Sequence, residues 1–94
     1  MVFSNSLNIN MVAINVIGAS DKQLQMLVNK ANMEGYNMWN SGREFTIKSI
    51  KDNNDCEVIY LEDSKNIVYS PLYYAETHNI YSKILITIQE YIYE

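Results

Sequence analysis

Apolar positions along the chain divide it into one helical segment and several strand-like segments. From Ile9 to Ile17 they occupy both faces of an alternating pattern, which predicts a central strand covered on both sides. After a short turn at Gly18 and Ala19, the spacing becomes that of a buried helical stripe. The stripe consists of Leu24, Leu27, Val28 and Ala31.

Signals for the two ends of a helix flank this stripe. Ser20 and Gln23 fit a capping box, in which each side chain accepts a hydrogen bond from the backbone N–H of the other residue. Asp21 adds a negative charge to the first turn, where the helix dipole favours it. Gly35 can adopt the left-handed conformation that closes a helix. The sequence therefore predicts a helix from Asp21 to Glu34.

Three short strand-like segments follow, separated by polar turns. They span Glu44–Ile50, Cys56–Glu62 and Ile67–Ser70. Pro71 ends or borders the third strand, because proline cannot donate to a β-ladder. Turns of four or five polar residues between short strands predict an antiparallel meander.

The C-terminal segment fits two structures. Its β-branched and aromatic composition favours a strand over Lys83–Tyr93, and a second helix over residues 80–93 is the alternative. We therefore predict a single α+β domain over residues 1–94, with the element order β-α-β-β-β-(β). One helix, at about residues 21–34, packs on a mainly antiparallel sheet of four to five strands.

The composition indicates a setting more than an activity. Asn, Ile, Tyr and Lys fill 38 of the 94 positions, as expected for an AT-rich genome such as that of a low-GC bacterium or its phage. The single cysteine, Cys56, forms no internal disulfide, and no apolar run is long enough to span a membrane. We expect a cytoplasmic protein, without contact to a membrane.

Charge separates the two halves of the chain. Residues 1–51 carry a net charge of +2 and residues 52–94 a net charge of −6. Without a basic cluster, direct binding of nucleic acid is not expected, because phosphate neutralisation supplies most of that affinity. An acidic half is better suited to a basic surface of a larger protein.

Acidic and aromatic residues of this half, together with Trp39, are the candidate partner-binding residues, because tyrosine and tryptophan are enriched at protein interfaces. The candidates are Asp52, Asp55, Glu57, Glu62, Asp63, Tyr73, Tyr74 and Trp39. The first hypothesis is a small non-catalytic binding protein. In its specific form this is a phage or mobile-element accessory protein that inhibits a host or defence protein.

The alternative hypothesis is an oligomeric protein that binds a small ligand or nucleotide between protomers. Gly18, Ala19 and Ser20 precede a helix and place N–H groups where an anion can bind, and Trp39 can stack on a base. A C-terminal strand would also put Tyr91 and Tyr93 on one sheet face with Leu85. A second copy of the protein would then cover that face, which predicts a homo-oligomer.

Catalytic chemistry finds little support in the sequence. Cys56 and His78 are the only thiol and the only imidazole, and they would have to meet in space to act as a nucleophile and its base. The acids on either side of Cys56, Asp55 and Glu57, oppose thiolate formation. No pattern for a metal or cofactor is complete, so we expect no enzyme, no metal and no cofactor.

Overall fold

The computed structural model describes residues 11–38, 45–53, 56–78 and 84–93. In chain order their elements are β1 (Val12–Asn15), α1 (Asp21–Met33), β2 (Asn37–Met38), α2 (Ile47–Lys51), β3 (Val58–Leu61), β4 (Asn66–Ser70), α3 (Leu72–Thr77), β5 (Leu85–Thr87) and α4 (Ile88–Ile92). The described strands form one sheet in the order β2-β4-β3-β1-β5, and helices pack on it. The predicted α+β class is confirmed.

The sheet is mixed, with an antiparallel centre and parallel edges. β3 pairs antiparallel with both β1 and β4. β5 pairs in parallel with β1, and β2 pairs in parallel with β4. The prediction of a mainly antiparallel sheet is therefore correct only for the three central strands. Parallel neighbours need long crossover connections, and here helix-containing segments of the chain supply them.

Strand alternation assigns the core side chains to two faces of the sheet. One face carries Ile14 of β1, Ile59 of β3 and Ile67 of β4, and the buried stripe of α1 packs on it together with α2 and α4. The opposite face carries a smaller cluster under α3. That cluster contains Ala13, Val58, Tyr60 and Ala75. Burying one fully covered side chain such as Leu27 contributes about 1.5–3 kcal/mol. The first face has the larger cluster of buried side chains, so it holds most of the hydrophobic stabilisation.

Helix α1 forms as predicted and ends one residue earlier. The Ser20 N–H donates to Oε1 of Gln23 at 3.0 Å, and the Gln23 N–H donates to Oγ of Ser20 at 3.1 Å. Gly35 has a φ of +90°, and its N–H donates to the carbonyl oxygen of Asn32. The capping box and the left-handed glycine thus satisfy backbone groups at the two ends of the helix.

The predicted strand over Glu44–Ile50 is wrong, because Ile47–Lys51 is the helix α2. Thr46 and Ser49 exchange hydrogen bonds between side chain and backbone, which forms a capping box with serine at its third position. Ile50 is buried against α1, and this helical packing outweighs a four-residue alternating pattern. The other two predicted strands, Cys56–Glu62 and Ile67–Ser70, are confirmed as β3 and β4. They form a hairpin, so only the second and third strands of the predicted meander are present.

The C-terminal segment is part strand and part helix. Leu85–Thr87 is β5, so the alternative of a helix throughout residues 80–93 is wrong, and the predicted strand over Lys83–Tyr93 is wrong from Ile88 onward. Thr87 and Glu90 form a capping box that starts α4. Tyr91 therefore lies on a helix that packs against α1 and does not share a sheet face with Leu85. The reason for expecting a second copy over that face no longer holds.

Candidate functional site

The predicted acidic residues do not all lie on the same side of the sheet. Asp52 ends α2, and its carboxylate lies 2.9 Å from Nζ of Lys48. Glu57 precedes β3, and its Oε1 accepts a hydrogen bond from the Leu72 N–H at 2.8 Å, at the start of α3. Glu62 and Asp63 follow β3 at the opposite end of that strand. Two further candidates, Asp55 and Trp39, lie outside the described residues.

Helix α3 presents the two predicted tyrosines to the surface. It begins directly after Pro71, whose φ of −66° suits the entry to a helix. Ala75 is fully buried against the sheet, so the neighbouring positions face outward. The side chains of Tyr73 and Tyr74 are 67% and 39% exposed. Glu76, which the sequence analysis did not select, is exposed on the same helix.

The ring of Tyr74 is held by a neighbour on its own helix. Its centroid lies 4.0 Å from that of the His78 ring, and the two planes are inclined by 25°. Nδ1 of His78 donates to the carbonyl oxygen of Tyr74 at 2.8 Å. An aromatic side chain fixed in this way loses little conformational entropy when a partner binds it.

A cavity of about 280 Å³ lies beside Tyr74, between α3 and the β3–β4 hairpin. Alternation places Tyr60 of β3 and Glu62, directly after β3, on this face, with Val68 and Ser70 of β4 beside them. Tyr60 pairs with Val68 across the two strands. The hydroxyl groups of Tyr60 and Ser70 are 2.7 Å apart. Tyr69 also borders the cavity, but its hydroxyl lies 3.2 Å from Oγ of Ser49 on the opposite face.

We use the name α3 surface for the outward side of α3 and the acids next to it. It consists of Glu57, Glu62, Tyr73, Tyr74 and Glu76. Exposed tyrosines and carboxylates are neighbours there, so the surface combines aromatic contact area with negative charge. The sequence signal for its cavity was the alternation of Tyr60 and Glu62 along β3.

Net charge differs between the two sides of the molecule. The described residues on or next to α1, α2 and α4 carry four basic and four acidic side chains, which cancel. They are Lys22, Lys30, Lys48 and Lys51 against Asp21, Glu34, Asp52 and Glu90. The β3–β4 hairpin, its flanking residues and α3 carry four acids and one lysine. These are Glu57, Glu62, Asp63 and Glu76 against Lys65.

The one lysine of this second group is engaged elsewhere. Nζ of Lys65 lies 4.4 Å from the centroid of the Tyr36 ring. Within the described ranges, neither Glu62 nor Glu76 forms an ion pair with a lysine. The excess negative charge of the described residues is thus carried by the α3 side of the protein.

Two of the four alternative ligand-binding residues, Gly18 and Ala19, line a smaller cavity of about 150 Å³ at the start of α1, together with Gln23 and Thr87. Ser20 does not line it, and Trp39 lies outside the described residues. The Ala19 N–H donates to the carbonyl oxygen of Val16, and the Ser20 N–H donates to Gln23. Small-molecule sites usually have about 300–1,000 Å³, so this cavity lies below that range. A nucleotide site at this position stays a prediction.

Cys56 and His78 are not brought together. Cys56 packs against the core on the α1 face of the sheet, whereas His78 ends α3 on the other face. Burial raises the pKa of the Cys56 thiol to about 12. The sequence analysis attributed this effect to neighbouring carboxylates, but desolvation is its physical cause.

A third cavity lies in a groove between α1 and α4 and was missed because α4 was not predicted. It has a volume of about 460 Å³ and is lined in part by Met26, Met33 and Ile92. Met33 is 88% exposed. Lys30 and Glu34 of α1 border this cavity, and both contact Tyr91 of α4. The charged groups at the cavity therefore help to pack the two helices together.

Three further observations concern chemistry and relatives. In the described part of the chain, no three His, Cys, Asp or Glu side chains converge as a metal site would require. None of the described helices has the length and hydropathy needed to cross a membrane.

Comparison with protein-family models, curated proteins and solved structures gives no match to this chain.

Proposed function

We propose that this protein is a small non-catalytic binding protein whose α3 surface docks on a basic surface of a larger protein. The observation that carries the proposal is the position of the excess negative charge. Among the described residues, the charges on or next to α1, α2 and α4, which we call the helical layer, cancel. On the side of the two exposed tyrosines, Glu62 and Glu76 form no ion pair with a described lysine. Such a surface steers a basic partner toward the aromatic contacts.

The composition supports a more specific form of this proposal. An amino-acid composition typical of proteins encoded by AT-rich genomes fits a phage or mobile-element accessory protein that acts in the cytoplasm of a low-GC bacterial host. Docking on a functional surface of a host or defence protein would inhibit that protein by covering it. This form needs no catalytic residue and no cofactor.

A pair of charge variants with equal changes in net charge tests the docking surface. Glu62→Gln with Glu76→Gln removes two charges from the α3 surface, and Asp21→Asn with Asp52→Asn removes two from the helical layer. Each immobilised protein is exposed to lysate of a low-GC bacterium, and captured proteins are quantified by mass spectrometry. The proposed partner is retained by the wild type and by the helical-layer pair, and lost from the α3 pair.

Affinity for the purified partner then gives a quantitative test. At about 0–1 kcal/mol for each exposed ion pair, the loss of two pairs in the α3 variant should weaken binding by up to about 30-fold and reduce its salt dependence. Equal binding by the two charge variants would show that these carboxylates do not contact the partner. It would therefore exclude docking by the acidic α3 surface.

Two tyrosines of almost equal exposure provide an independent test. Tyr73 is 67% exposed on α3, and Tyr93 is 69% exposed beyond the end of α4. Tyr73→Ser should weaken partner binding by about 30-fold if Tyr73 is an interface hot spot, and Tyr93→Ser should leave it unchanged. The reverse pattern would place the interface on the α1–α4 side and contradict the proposal.

A further inference from the structure

We infer that the cavity beside Tyr74 binds a single arginine side chain of the partner. This inference rests on the proposed function and specifies one contact within it. The cavity is lined by three tyrosines, one carboxylate, a valine and a serine. A cation–π contact with a tyrosine ring and an ion pair with a carboxylate both select a cation.

The geometry of the strands makes this combination a built feature of the fold. Glu62 directly follows β3, and its N–H still pairs with the carbonyl oxygen of Asn66 across the hairpin. It lies two positions after Tyr60, so alternation places both side chains on the face that α3 covers. Val68 lies directly across from Tyr60 on β4 and lines the same cavity with an apolar side chain. Tyr74 closes the cavity from α3, with its ring held by His78.

The electrostatics of the lining favour a positive group. Glu62 is half-buried and is the only charged residue that lines the cavity within the described residues. Lys65, the nearest lysine in sequence, lies over the ring of Tyr36. An arriving cation would therefore meet a carboxylate that is partly withdrawn from water, where an ion pair is screened less than at the open surface.

Size and shape favour arginine over a complete small molecule or a lysine. At about 280 Å³ the cavity is just below the usual range for drug-sized ligands. A guanidinium has a flat face for an aromatic ring and five donors in its plane for a carboxylate and hydroxyl groups. A lysine ammonium has no flat face and is more strongly hydrated, so it gains less from the tyrosines.

Three small probes test the inference without knowledge of the partner. The ¹⁵N-labelled full chain is titrated with N-acetyl-arginine amide, N-acetyl-lysine amide and N-acetyl-citrulline amide, and amide shifts are followed by NMR. Citrulline has nearly the shape of arginine without its charge. We expect saturable shifts at residues 60, 62, 68, 70 and 74 with the arginine probe, with a Kd on the order of 1–10 mM. Lysine should bind more weakly, and citrulline should cause no saturable shift.

Two neighbouring acids provide a matched control. Glu62→Gln should weaken binding of the arginine probe by about fivefold, whereas Asp63→Asn, with the same change in charge outside the cavity lining, should leave it unchanged. Tyr74→Leu, a change at a partly exposed position, should abolish the shifts while the remaining spectrum stays native. Equal effects of the two acid variants, saturable binding of citrulline, or lysine binding as tight as arginine would each overturn the inference.

The outcomes separate this inference from the proposed function. If the Glu62 and Glu76 pair variant loses the partner but the arginine probe does not shift the cavity residues, docking stands and the arginine cavity falls. If the probe binds but partner capture does not depend on these acids, the cavity stands and docking by the α3 surface falls.

Discussion

Replacing Tyr91 with phenylalanine removes a single hydroxyl group from the contact between α4 and α1. This hydroxyl donates to Oε1 of Glu34 at 2.7 Å, and Nζ of Lys30 lies 4.3 Å from the centroid of the same ring. Nζ of Lys30 also donates to the carbonyl oxygen of Tyr91. Tyr91 is only 5% exposed, and phenylalanine keeps its ring and most of its buried surface. The substitution therefore isolates the hydrogen bond.

The expected loss follows from the chemistry of the two groups. A hydrogen bond to a charged acceptor contributes about 1.5–3 kcal/mol, but Glu34 is exposed and water solvates its carboxylate in the variant. We therefore expect Tyr91→Phe to lower the free energy of unfolding by about 1 kcal/mol. For a domain of this size, that corresponds to a decrease in Tm of about 4–8 °C.

Tyr93→Phe is the matched control, because Tyr93 is 69% exposed and surface changes of this kind stay within about 0.5 kcal/mol. Both variants are unfolded by urea and by heat and followed by circular dichroism. A double-mutant cycle of Tyr91→Phe with Glu34→Ala should give a coupling energy of about 1 kcal/mol. Equal stability of the two phenylalanine variants, or a coupling energy below about 0.3 kcal/mol, would refute the reasoning.

Four further predictions concern α4, alkaline pH, the thiol and the core. Thr87→Ala removes the hydrogen bond that the Glu90 N–H donates to Oγ1 of Thr87 and should cost about 1 kcal/mol in urea unfolding. An unchanged midpoint would contradict this role. Burial, reinforced by the hydrogen bond to Glu34, raises the pKa of Tyr91 above its usual value near 10. Above pH 10 the unfolded chain loses protons that the folded chain keeps, so stability should fall with rising pH, and less steeply in Tyr91→Phe. Burial raises the pKa of the Cys56 thiol to about 12, so little reactive thiolate forms at pH 8. Iodoacetamide at pH 8 should therefore modify Cys56 at least about tenfold more slowly in the folded protein than in the urea-unfolded chain. Equal rates would contradict the burial of the thiol. Leu27→Ala, at a fully buried position, should cost about 2–5 kcal/mol in the same unfolding assay, and a loss below 1 kcal/mol would show that the helix does not pack as described.

The elements that could be predicted were those with local signals of their own. Helix α1 has a capping box at Ser20, a continuous apolar stripe and a left-handed glycine at its end, all within 16 residues. The β3–β4 hairpin likewise has two apolar runs, a polar turn and a closing proline. Each of these signals acts between near neighbours, so it does not depend on the rest of the chain.

The sequence contains the capping box of α4, but the composition around it led to the prediction of a strand. Thr87 and Glu90 have the spacing of the capping box that correctly placed α1. The β-branched composition around Ile88 favoured a strand, although packing of Ile88 and Tyr91 on α1 compensates for their lower helix propensity. Helix α2 was harder to predict from the sequence, because Ser49 takes the place of the usual glutamate or glutamine at the third position of its capping box.

The fold class, helix α1, the hairpin and the excess of acids in the second half of the chain all follow from local patterns in the sequence. Which acids and tyrosines share a surface depends on the long-range packing of the elements. Glu62 and Tyr74 are twelve positions apart, and they line one cavity because α3 packs on the face to which β3 directs Glu62. Asp52 is closer to Glu62 in sequence but ends a helix on the opposite side of the sheet. Alternation divides each strand between two faces, but long-range packing determines which helix covers each face, and no local pattern encodes that choice.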